Sequence, residues 1–60
     1  MKTYYHVIEE GSNGRVASHG YYTKITDAEK EVARLSSFFE GIYFYVLQTN
    51  SKKEPVIVTI

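Results

Sequence analysis

Apolar and polar positions alternate from Thr3 to Glu10, and Tyr4, Tyr5, Val7 and Ile8 supply β-forming side chains, so this segment reads as a strand. Gly11-Ser12-Asn13-Gly14 follows, a dense turn signal containing Asn-Gly. Arg15 to Tyr22 then reads as a second strand, and the two make a β-hairpin. A two-residue Asn13-Gly14 turn pairs Ile8 with His19, whereas a four-residue loop pairs His6 with His19. Both loops are even and sort the side chains identically. Tyr4, His6, Ile8, Ala17, His19 and Tyr21 share one face, and Tyr5, Val7, Val16, Ser18, Gly20 and Tyr22 share the other. A bulge would break this sorting.

The period then changes. Ala28, Val32, Leu35 and Phe39 recur at helical spacing, while Lys30, Arg34 and Ser37 fall on the opposite side. Thr26-Asp27-Ala28-Glu29 has the form of a capping box, which predicts a helix starting after Thr26, and Gly41 is the expected stop. Ile42 to Gln48 is almost continuously apolar and predicts a central strand covered on both faces. Thr49 to Glu54 is polar, and Pro55 opens a last strand, Val56 to Ile60. The order is ββαββ. The expected fold is α+β, a four-stranded, mostly antiparallel sheet with one α-helix packed on one face, in a single domain spanning residues 1–60.

One helix covers only one side of such a sheet. Val7, Val16, Ser18 and Gly20, with Ile42, Phe44 and Val46, suit the covered side. The side left over would carry Tyr4, His6, His19, Tyr21, Tyr43, Tyr45 and Leu47. Tyrosine combines a large rigid apolar body with a polar tip, which favours it at interfaces. Tyrosines on a sheet surface also stabilise it through cross-strand pairs, with no partner involved.

Composition narrows the classes. The chain has 60 residues, no Cys and no Trp, and seven basic side chains balance seven acidic ones. Without Cys there is no disulfide scaffold and no thiolate zinc site. The longest apolar run, Ile42 to Leu47, is too short for a membrane-spanning helix. The first residues lack the apolar stretch of a signal peptide, so the expected location is cytoplasmic. A chain this short buries about 60% of its unfolded surface and sits near its stability threshold, which makes self-association an effective way to add burial.

Candidate chemistry is sparse. His6 and His19, as cross-strand neighbours, would form half a metal site or a pH-sensitive contact, but a zinc site needs further ligands, and Glu9 and Glu10 lie toward the far end of the hairpin. The serines have no nucleophile-elbow context, and the pairs Glu9-Glu10 and Glu29/Glu31 do not form an acid–base dyad. Gly11-Ser12-Asn13-Gly14 matches a Gly-x-x-Gly phosphate clamp only in letters, because it joins two strands rather than two helices. Lys52-Lys53 suits an anti-aggregation feature beside an edge strand.

The stretch Gly20-Tyr21-Tyr22-Thr23-Lys24, followed by Ala28-Glu29, resembles the strand-to-helix junction of the small arm-type DNA-binding domains of phage and transposon integrases. There an aromatic residue ends the sheet, Thr-Lys begins the turn and an Ala-Glu helix follows. The resemblance covers about ten residues of the 60. Those domains have three strands before the helix and a basic sheet. This chain has two predicted strands there and zero net charge, so no functional residue is carried over.

The resulting expectation is a non-enzymatic interaction module without cofactor or metal, forming a homodimer or binding a protein partner through the Tyr/His face. The competing expectation is single-stranded nucleic-acid binding, with bases stacked on Tyr4, Tyr21, Tyr43 and Tyr45 and Arg15, Lys24 or Lys52-Lys53 on phosphates. Zero net charge weighs against it, because little counterion release would be available.

Overall fold

A computed structural model describes residues 2–11 and 14–56. Strand β1 (Tyr4–Glu10), strand β2 (Val16–Tyr22), helix α1 (Ile25–Phe38) and strand β3 (Tyr43–Thr49) follow in that order. The fold is α+β, but its sheet has three strands, ordered β2-β1-β3 and antiparallel throughout, rather than the four expected. The described part of the proposed last strand forms no ladder: residues 51–56 are irregular, and Val56 is 91% exposed. Residues 57–60, the remainder of that expected strand, lie outside the described residues.

The central strand is β1, not β3. The hairpin leaves one edge of β1 free, and the chain returning from the helix pairs there, Tyr4 with Thr49 through Glu10 with Tyr43. Flanked on both sides, β1 contributes the largest fully buried side chains among the described residues, His6, Val7 and Ile8. The apolar run of β3 is instead divided. Phe44 and Val46 pack under the helix, while Tyr43, Tyr45 and Leu47 occupy the other face of an edge strand.

The hairpin departs from both even loops. The Gly11 N–H donates to the Arg15 carbonyl (2.8 Å), the Gly14 N–H donates to the Gly11 carbonyl (3.0 Å), and Glu10 pairs with Val16. Gly14 has φ +81°, a left-handed conformation that glycine adopts at little cost. The loop is therefore odd. It places Val16 and Ser18 opposite Glu10 and Ile8, on the face away from the helix, and Ala17 opposite Glu9, on the helix face. A bulge between the His6 and Ile8 pairings, with Gly20 at φ +111°, absorbs one residue. Beyond it Tyr21 pairs with His6 and Tyr22 with Tyr5, on the faces the even loops predict.

The helix follows its apolar stripe. Ala28 and Leu35 are buried, Val32 packs beside them, and Val7 and Phe44 complete the core from the sheet. Lys30, Arg34 and Ser37 are exposed. The expected capping box does not form. The N-cap is Lys24, without a side-chain cap, and its carbonyl accepts from the Asp27 and Ala28 N–H groups. Helical geometry thus begins at Ile25, which places Thr26 inside the first turn, where its hydroxyl no longer caps. Phe39 ends the helix as its C-cap, and Gly41, at φ +82°, turns the chain into β3.

Candidate interaction surface

The face opposite the helix is only partly open. Strand β1 contributes Tyr4, His6 and Ile8, β2 contributes Tyr21 and, past the bulge, Ser18 and Val16, and β3 contributes Tyr43, Tyr45, Leu47 and Thr49. The chain leaving β3 turns back over the middle of this face. His6 Nε2 donates to the Ser51 carbonyl (2.9 Å) and to Thr49 Oγ1 (2.8 Å). A carbonyl only accepts, so Nε2 carries the proton. The Thr49 hydroxyl in turn donates to the same Ser51 carbonyl (2.9 Å) and accepts from the Ser51 N–H (3.3 Å), while Ser51 Oγ accepts from the Lys53 N–H (3.1 Å). Further on, Glu54 and Pro55 line a hollow of about 50 Å³ with Ile8, Val16 and Ser18. Residues 51–55 thus form a strap, which sequence periodicity did not reveal. The run of short-range Thr and Ser acceptors in Thr49–Lys53 is the signal that marks it.

The expected surface residues consequently separate into groups. Tyr4 and His6 are buried, at 6% and 1% exposure. Tyr4 meets Tyr21 edge-on, with centroids 5.3 Å apart, and His6 lies 6.0 Å from the same Tyr21 ring. Tyr21 itself is 42% exposed. On β3, Tyr43 is 63% exposed and pairs with Tyr45 at 5.3 Å, while Tyr45 and Leu47 are half-buried. Burial pushes the Tyr45 phenol above its usual range, helped by the nearby Glu10 carboxylate and by Tyr43.

His19 is not on this face. The odd loop turns it, like Ala17, to the helix side before the bulge restores the faces at Tyr21 and Tyr22, and there Nε2 lies 2.7 Å from Glu9 Oε1 and the ring lies 5.7 Å from Phe44. His6 and His19 are therefore not cross-strand neighbours, and the pairing that would have made half a metal site is absent. Among the described residues, no three of His, Asp and Glu gather as metal ligands.

The helix side carries a separate polar cluster that periodicity did not single out. The Tyr22 hydroxyl donates to Glu31 Oε2 (3.1 Å), and Arg34 Nε donates to the other carboxylate oxygen. The Arg34 hydrogen bond holds the Glu31 carboxyl below its ordinary value. Burial, reinforced by the hydrogen bond to Glu31, pushes the Tyr22 phenol up. This cluster ties the end of β2 to the middle of α1.

Among the described residues no helix is long and apolar enough to cross a membrane. Comparison with protein-family models, curated proteins and solved structures gave no match.

Proposed function

We propose that the chain is a non-enzymatic interaction module that associates with a second copy of itself through the β3 side of the open sheet face. The exposed Tyr43, its ring tilted against that of Tyr45 on an edge strand, is the observation that carries this reading. Two adjacent tyrosine rings offer a rigid contact area that loses little conformational entropy on binding. The strap already covers His6 and Ile8, so the contact would centre on Tyr43, Tyr45 and Leu47 rather than on the whole face. An edge strand also exposes backbone groups to a second copy.

Burial of Tyr4 weighs against the stacking of successive bases, because it removes one member of the expected tyrosine platform. Sedimentation equilibrium from micromolar to millimolar concentration tests the dimer. Concentration-dependent association that weakens in Tyr43→Ala supports it, and a monomer throughout rejects it.

A further inference from the structure

Zero net charge conceals an uneven distribution. Lys2 precedes β1, Lys24 follows β2, and Lys52 and Lys53 follow β3. The register places these three strand ends together, since Tyr4 pairs with Thr49 and Tyr5 with Tyr22. Lys2, Lys24 and Lys52, three of the seven basic residues, therefore collect at one end of the sheet. Glu9 and Glu10 lie at the other end of β1.

At the basic end a hollow of about 440 Å³ opens between Lys2, Thr3, Tyr4, Tyr21, Thr23 and Lys52. Small-molecule sites span roughly 300–1,000 Å³, so its size is sufficient. Two lysines, two threonines and two tyrosines thus line it, Tyr21 being 42% exposed, and among the described residues no Asp or Glu does. The acidic residues nearest along the chain line other hollows, Asp27 beside Tyr22 and Lys30, and Glu54 beside Ile8 and Pro55. Two lysines near each other without a neutralising carboxylate favour an anion, and hydroxyl donors beside them suit phosphate oxygens. A partly exposed tyrosine ring on the same wall suits a planar ring attached to that phosphate.

We propose that this hollow binds a nucleoside monophosphate, with Lys2 and Lys52 on the phosphate and Tyr21 against the base. The inference is independent of association through Tyr43, which lies at the opposite end of the sheet, paired with Glu10. Titration of the whole chain with adenosine monophosphate, followed by amide shifts in heteronuclear NMR, tests it. Saturable shifts confined to Thr3, Tyr21, Thr23 and Lys52 are expected. Lys52→Gln and Lys2→Gln should each weaken binding about fivefold or more, and Tyr21→Leu should weaken the nucleotide without weakening inorganic phosphate. The spectrum of each unliganded variant reports whether it is folded, and Lys2 and Lys52 are exposed, so their replacement leaves the core intact. Absence of saturable shifts at millimolar nucleotide overturns the proposal. So does equal affinity for inorganic phosphate, which would leave no role for the ring. Much tighter binding of a single-stranded oligonucleotide at the same residues would also overturn it, because the site would then be one step of a strand path.

Discussion

The imidazole of His6 reaches the carbonyl of Ser51, 45 residues along the chain, at 2.9 Å. This contact fastens the strap to the central strand. His6→Leu removes the imidazole donor to the Ser51 carbonyl while keeping an apolar side chain of similar bulk. Because Ser51 still accepts from the Thr49 hydroxyl, its carbonyl is not orphaned. The expected loss is therefore about 1–2 kcal/mol, the scale of one buried hydrogen bond, read as a lower urea midpoint. Hydrogen exchange should accelerate at the Ser51 and Lys53 amides more than in the helix. Thr49→Val should be non-additive with His6→Leu, since both groups act on the same carbonyl. Additive losses would show that the strap is held elsewhere.

Gly20 carries the bulge. A Cβ there meets nothing within 4 Å, yet its φ of +111° is one that L side chains rarely adopt. Gly20→Ala should cost about 1–2 kcal/mol through backbone strain alone, measured by chemical denaturation. If the chain instead relieves the strain by losing the bulge, the pairing of Tyr21 with His6 shifts, and cross-strand nuclear Overhauser contacts will report it. An unchanged midpoint with unchanged contacts would contradict the strain argument.

The helix was legible because Ala28, Val32 and Leu35 repeat at its own period and meet the sheet. Its start was less legible. Lys24 and Thr26 are competing caps, and the backbone bonds to the Lys24 carbonyl prevail over the side-chain signal at Thr26. The hairpin was visible as an element but not in its parity, because Gly11 and Gly14 are compatible with odd and even loops alike. One residue of parity is enough to send His19 to the helix face and Ser18 to the other. Tyr43 and Tyr45 were legible as surface candidates, since alternation along β3 separates them from Phe44 and Val46. Burial of Tyr4 and His6 was not, because it depends on their position in the central strand and on the strap.

Glu31 links α1 to β2, and its carboxyl titrates below the ordinary value of 4.5 chiefly through the Arg34 hydrogen bond. A lowered native pKa stabilises the fold at pH values above the unfolded pKa. That contribution fades as pH falls through the native value. The difference in thermal midpoint between the parent chain and Glu31→Gln should thus be constant near neutrality and shrink on acidification below about pH 4.5. Tyr22 behaves with the opposite sign. Its raised pKa means that the neutral phenol is favoured in the fold, so this contribution holds below pH 10 and is lost as pH rises through the native value. Tyr22→Phe should remove that alkaline dependence. A midpoint difference that does not vary with pH in either variant would show that the cluster is not coupled to folding.

Tyr4 and Tyr43 provide the sharpest separation between stability and association, because they share a face but differ tenfold in exposure, 6% against 63%. A stable domain of sixty residues has about 3–9 kcal/mol in hand. Tyr4→Leu gives up the edge-on contact with Tyr21 and some buried volume, so it should lower the urea midpoint by an amount equivalent to about 1–3 kcal/mol. Tyr43→Ala removes an exposed ring and should change monomer stability by only about 0.5 kcal/mol. If the Tyr43–Tyr45 pair is the dimer contact, the same Tyr43→Ala change should raise the dissociation constant by roughly tenfold or more, the scale of an aromatic hot spot. Stability measured well below the dissociation constant isolates the first effect, and sedimentation equilibrium isolates the second. A Tyr43→Ala chain that is destabilised as a monomer but associates normally would reverse the assignment and make Tyr43 a sheet-stabilising residue.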